Sequence, residues 1–211
     1  KKIMVELTPY HNQFKNYIYM EPAAEPELTI RGAFPVFNYK QTNARISGFD
    51  GKMMYTFLNH FQLTTKAMIL RAWNYSTNDY LIYMPSDRYS FDVKAYSTFN
   101  KTENEWYVQC GYQYITKQWR VPANVDFAPP PKAFGLLNME LGTYVKFGKQ
   151  QLNIALTATN ALNTSYRDYL DRFRYYADAQ GRNIGLRIKI PLTIYDKKTE
   201  ATNPSIIEIN K

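Results

Sequence analysis

The chain has 211 residues, a formal net charge of +8 and a mean hydropathy of −0.48. It contains no run of about 18 apolar residues, which excludes a transmembrane helix. Its 26 Lys and Arg residues are scattered, with no run longer than the pairs Lys1-Lys2 and Lys197-Lys198. That argues against nucleic-acid binding and fits an anionic surface or ligand nearby. Aromatic residues make up 16 %, an excess that suits β structure and interfacial girdles. Low hydropathy is compatible with a membrane barrel, in which only alternate residues meet lipid. Lys1–Glu6 is too short and too quickly polar to be a secretory signal, so an exported form would be a mature part or a fragment. Cys110 is the single cysteine and has no partner for an internal disulfide.

Ile3–Met20 alternates as a strand, and Pro9 marks an expected bulge or imperfectly paired position. Glu21–Phe34 carries Pro22, Pro26 and acidic residues and reads as a long loop. Pro35–Phe57 reads as a long strand, with a bulge or kink expected around Gly48–Lys52. Leu58–His60 is a tight turn, and Phe61–Trp73 is the next strand. Asn74–Asp79 opens a polar loop that runs to Met84.

After Met84-Pro85 the alternation is clean. Tyr89, Phe91, Val93, Ala95 and Phe99 share one face; Ser90, Asp92, Lys94, Tyr96 and Thr98 share the other. Asn100–Asn104 is a short polar turn. In Glu105–Trp119, Trp106, Val108, Cys110, Tyr112 and Tyr114 oppose Gln109, Gly111 and Gln113. Arg120–Lys132 is a loop ending in three prolines. Leu137, Met139, Leu141, Val145 and Phe147 then oppose Asn138, Glu140, Gly142, Tyr144 and Lys146, and Gly148–Gln150 turns the chain.

In Gln151–Ala161 the apolar face is Leu152, Ile154, Leu156 and Ala158, against Asn153, Thr157 and Thr159. A long excursion over Asn163–Arg182 follows. In Asn183–Leu192 the apolar face is Ile184, Leu186, Ile188 and Ile190, against Gly185, Arg187 and Lys189. A soluble sandwich alternates too, but Arg and Lys in mid-strand suit the lumen of a water-filled barrel. Short connections alternate with long ones along the whole chain. That is the plan of an outer-membrane barrel, with tight periplasmic turns and extended external loops.

The end of the chain also carries a family signature. Asn160-Ala161-Leu162-Asn163-Thr164 is followed by Tyr166-Arg167-Asp168-Tyr169-Leu170, then Arg172-Phe173-Arg174-Tyr175, then Gly181-Arg182-Asn183-Ile184. This order resembles the C-terminal end of a TonB-dependent outer-membrane receptor. There an N-x-x-N-x-x-Y-R run closes the penultimate strand and an R-F-R-Y…G-R-N loop leads into the last. The stretches around Asn16-Tyr17-Ile18-Tyr19, Phe34–Tyr39 with Gln41–Gly48, and Met84-Pro85 are similar to the same family, closest to its metal- and metal-chelate-uptake members.

The resemblance implies an all-β, antiparallel transmembrane β-barrel, with about eight strands forming the C-terminal part of a larger one. Residues 1–194 would be barrel and 195–211 a polar tail. Family members usually stop at an aromatic residue; here Ile190-Pro191-Leu192 stands at that point and the chain continues. Ser205–Ile209 has the pattern of a short strand without an evident partner. The implied function is TonB-driven uptake of a scarce ligand, such as a metal chelate or siderophore, across the outer membrane. The implied partners are outer-membrane lipid, a small ligand, and the TonB complex through a plug region that nothing here resembles.

The aromatic and basic loop offers the candidate ligand contacts: Tyr166, Arg167, Tyr169, Arg172, Arg174 and Tyr176. Tyr and Arg bring large area and fixed donors at modest entropic cost. The competing reading is that this loop folds on itself and caps the barrel. No catalytic set, cofactor motif or metal-ligand spacing stands out. His11 and His60 lie far apart, and Asp168 and Asp171 lack a positioned nucleophile, so the chain is not expected to be an enzyme. Two alternatives stay open: a small stand-alone outer-membrane barrel with a structural or adhesive role, and a soluble β-sandwich that binds a ligand.

Overall fold

The computed structural model describes residues 2–58, 60–98, 105–147 and 150–190. Its strands are β1 (Lys2–Pro22), β2 (Glu27–Thr29), β3 (Gly32–Phe34), β4 (Phe37–Phe57), β5 (Phe61–Asn74), β6 (Asp79–Tyr80), β7 (Arg88–Thr98), β8 (Glu105–Ile115), β9 (Phe134–Phe147), β10 (Gln150–Thr159) and β11 (Asn183–Lys189). A 3-10 turn spans Arg172–Tyr175. The main sheet runs β1-β4-β5-β7-β8-β9-β10-β11, with β6 added to β5; β2 and β3 form a separate hairpin. Every pairing is antiparallel. One continuous sheet of chain neighbours is an all-β barrel wall. A sandwich would need two facing sheets, so that alternative is replaced. Among the described residues β1 pairs only with β4, and β11 only with β10.

Register decides which side chains share a face. Phe57 lies opposite Phe61, Phe61 opposite Ala95, and Ala95 opposite Val108. The row continues through Leu141, Leu156 and Leu186. Leu156 is 52 % exposed and Leu186 69 %. Met139, Leu141, Ile184 and Ile188 are exposed as well. The apolar face is therefore the outer one. It is bounded near the short turns by the stacked rings of Tyr55, Phe57 and Phe61. Toward the long loops it is bounded by Tyr89, Phe91, Tyr112 and Tyr114.

The inner face is polar and internally paired. Tyr107, 3 % exposed, donates its hydroxyl to Glu140 at 2.5 Å and accepts from Asn153 Nδ2 at 3.0 Å. Arg187 bonds Glu140 from the far side at 2.5 Å. The Lys94 ammonium sits 3.9 Å from the centre of the Tyr107 ring. These groups are satisfied by one another, as a wall lining a wet interior requires.

Two expectations about β1 and β4 need correction. Pro9 lies in register opposite Phe49, with no bulge at that position. The register shift falls instead between Phe14 and Tyr17, where Asn16 has φ 60°. No bulge occurs at Gly48–Lys52, because the pairing of β4 with both β1 and β5 is continuous there. Gly48 is present for another reason: a Cβ on it would come within 2.1 Å of the Tyr10 ring lying across it. Gly142 does the same under Tyr107, at 2.4 Å.

The regions read as loops over Glu21–Phe34 and Asn74–Met84 also contain structure. β1 continues to Pro22 and the β2–β3 hairpin follows, while β6 pairs with the end of β5. Some strands are shorter than their pattern: β8 stops at Ile115, β10 at Thr159 and β11 at Lys189. Phe99, most of the three short turns, and all of 191–211, including Ser205–Ile209, lie outside the described residues.

Gly142→Val should strike the Tyr107 ring and destabilise the wall by about 1–3 kcal/mol, read as a lower urea midpoint. Adding Tyr107→Ala should remove most of that penalty; a fully additive double variant would contradict the contact.

Candidate functional site

The long connections converge at one end of the sheet and fold over its inner face. Between β5 and β7, Leu81 and Ile82 turn inward, and Leu81 is fully buried against Ala44 and Ala72. Tyr17, Tyr19, Ile46, Leu70 and Met84 complete this small core. Between β8 and β9, buried Gln118 donates from Nε2 to the carbonyls of Met84 and Pro85, both at 2.9 Å. One loop is thus fastened to another by a side-chain amide acting on backbone.

The β10–β11 loop is held at its ends by the paired asparagines. Asn160 has φ 48° and Asn163 φ 56°, left-handed positions that asparagine tolerates well. Asn160 Oδ1 accepts from the Thr164 amide at 2.8 Å, and its Nδ2 donates to the Thr164 carbonyl at 2.9 Å. Asn163 Oδ1 accepts from the Arg182 amide at 2.9 Å. The N-x-x-N spacing therefore turns the chain out of β10 and clasps the loop shut near β11.

The six candidate contacts then separate. Arg174 is 3 % exposed and paired with Asp126; it also donates to the Tyr175 hydroxyl at 3.1 Å. Tyr169 is buried, its ring centre 4.9 Å from that guanidinium. Arg172 lies over the rings of Phe37 and Tyr83, 4.1 and 4.4 Å from their centres, where the two rings meet edge to face. Arg167 donates to Asp178 at 2.6 Å and to the Arg174 carbonyl at 2.7 Å. Tyr166 rests on Phe134, ring centres 4.5 Å apart. Tyr176 is exposed, as is neighbouring Phe173.

Asp168 accepts from Arg88 at 2.8 Å, and Asp171 caps the 3-10 turn through the Phe173 amide at 2.9 Å. Both carboxylates are occupied by structure. Asp126 was not singled out by the sequence, yet it gathers Arg174, Tyr175 at 2.5 Å and Tyr83 at 3.2 Å. Its proline-rich surroundings gave no periodic signal of partners so distant in sequence.

Burial sets the titration of these groups. It pushes the Tyr83 and Tyr175 phenols up, reinforced by the contact with Asp126, and pushes Tyr169 up to about 12. Asp178 is held below the usual carboxylate range by the Ser165 hydroxyl and then by Arg167. Below the loops, a cavity of about 360 Å³ opens on the inner face, lined by Glu6, Asp50, Lys52, Lys66, Arg88 and Gln113 among others. Among the described residues no cluster of three or more His, Cys, Asp or Glu forms a metal site.

No family model and no curated protein matches the chain. Solved structures do match. One is described as the copper transporter OprC, with a TM-score of 0.69 and 13 % identity over 89 % of this chain. The match covers 28 % of that transporter, so this chain spans little more than a quarter of its length. At that identity the likeness is one of fold: the chain is built like part of that transporter.

Removing one partner of the buried pair, by Arg174→Ala or Asp126→Ala, should cost roughly 3–5 kcal/mol of loop stability. Limited proteolysis within 160–182 should accelerate accordingly; unchanged cleavage would show that the pair holds nothing. The Tyr169 shift favours the neutral phenol in the folded state. Its stabilisation is complete below the unfolded value near 10 and is lost as pH rises toward about 12. Ultraviolet titration should lose one late-ionising phenol in Tyr169→Phe.

Proposed function

We propose that the chain is the C-terminal part of the wall of a TonB-dependent outer-membrane receptor that takes up a small, scarce ligand. The observation that carries this is the apolar row running in register across the sheet on its exposed face. Its height is right for a membrane. β8 has 11 residues. At about 3.3 Å per residue and a tilt near 40° it would cover roughly 28 Å, close to the hydrocarbon thickness. Aromatic residues at both borders fit the two interfacial girdles.

β1 and β4 have 21 residues each and would rise well beyond the outer surface with the β2–β3 hairpin on top. The edges of β1 and β11, unpaired among the described residues, are where further strands of a larger barrel would pair, which suits a chain matching 28 % of a transporter. The polar inner face would line the lumen, and a plug region beyond these residues would reach TonB.

The loop cluster would form the outer mouth. In this reading Tyr176, Arg167 and Tyr166 meet the ligand, while Tyr169, Arg172 and Arg174 fix the loop that presents them. A metal-bearing ligand is supported by the motif resemblance and by the copper transporter of similar fold.

Fractionation of the full gene product should recover it in the outer membrane. Recovery solely in the cytoplasm would end the proposal. Leu186→Arg should destabilise the membrane-embedded protein by about 2–4 kcal/mol if its position faces the bilayer centre. A change within about 0.5 kcal/mol, the usual range for a solvated surface, would mean water at that face.

A further inference from the structure

The outer face carries a feature that ligand uptake does not use. On β1, β4, β5 and β7 one row reads Leu7, Gly51, Ala67 and Tyr89. Ala67 has almost no side chain, so the row is low there, while the Phe49 ring lies across Gly51, 2.9 Å from where a Cβ would stand. Val5, Phe49, Met53 and Phe91 stand around the dip, and the trough holds about 240 Å³.

Along the same strands toward the long loops, the same face turns basic. Arg71 follows Ala67 by four residues on β5, about 13 Å at ~3.3 Å per residue, and lies opposite Ser47. Arg45 comes one step further, exposed and opposite Trp73. Arg71 reaches Asp87 with two bonds, at 2.6 and 3.0 Å, and Arg120 reaches the same carboxylate at 3.0 Å. One carboxylate therefore serves two guanidiniums, and a positive charge is left over. Arg71 remains 44 % exposed, and its Nε makes no bond among the described residues. Arg120 Nε is buried without a partner.

The geometry points to a site for an anionic membrane lipid: its phosphate on Arg71, one acyl chain in the trough over Ala67, beside the Phe49 ring. Guanidinium favours phosphate because its planar fork matches two oxygens at once. Free phosphate would satisfy Arg71 but leave the apolar trough empty, which favours the lipid. The inference rests on the reading that this face meets the bilayer.

The test uses the full gene product in neutral detergent, with its tryptophans as reporters. The probes are phosphatidylglycerol and phosphatidylcholine with brominated acyl chains, which quench tryptophan on contact. Quenching by phosphatidylglycerol should set in at a mole fraction about fivefold lower, in line with the attraction of one basic residue for an anionic lipid surface. Arg71→Gln keeps Asp87 paired with Arg120 and should abolish the preference. Ala67→Phe fills the trough and should abolish it independently.

Equal quenching by the two lipids would overturn the site while leaving the membrane-facing wall intact. Quenching by neither would remove the wall reading itself. A preference retained in both variants, or erased by millimolar inorganic phosphate, would also overturn it.

Discussion

The ladder that aligns Val108, Leu141, Leu156 and Leu186 governs the rest of this molecule. Side chains alternate along each strand, so one register between neighbours commits every residue of both to a face. With eight long strands linked in chain order, those choices accumulate into an apolar belt on one side and a charged lining on the other. Large apolar surfaces of this extent need an apolar neighbour. Among the described residues the core of Ala44, Ala72 and Leu81 does not cover this belt; it lies on the opposite face, under the loops.

That second core explains how long connections become ordered. The loops share little regular hydrogen bonding, so side chains must do the fastening. Gln118 ties two backbone carbonyls, Asn160 and Asn163 close the β10–β11 loop, and Asp126 collects an arginine and two phenols. Apart from the local Asn160–Thr164 pair, these ties join residues far apart in sequence. The mouth of the structure is thus a set of mutually braced segments, and the exposed Tyr176 and Phe173 stand on that brace.

Much of the wall was legible in the sequence because period two is a local signal. Trp106, Val108, Cys110, Tyr112 and Tyr114 are exposed where the alternation put them, with Tyr107, Gly111 and Ile115 buried between. The long connections were visible in outline, since turn residues cluster, though the β2–β3 hairpin and β6 within them were not. What stayed hidden depends on partners. Gly48 looks like an interruption in one strand, and only Tyr10 on the neighbouring strand shows why it is there. The loop arginines were harder still. A guanidinium packed on the rings of Phe37 and Tyr83 and one offered to a ligand have the same sequence signature.

The paired tyrosines and glycines bear on how the strands find their alignment. Alternation punishes a slip of one residue, which would drive charges outward. It is blind to a slip of two, which keeps every side chain on its proper side. Such a slip would set the Tyr107 ring against Glu140 or Tyr144 instead of Gly142, and the Tyr10 ring against a residue other than Gly48. The flat ring needs a neighbour without a β-carbon. These contacts therefore act as notches that reject the even-numbered misalignments polarity alone would accept.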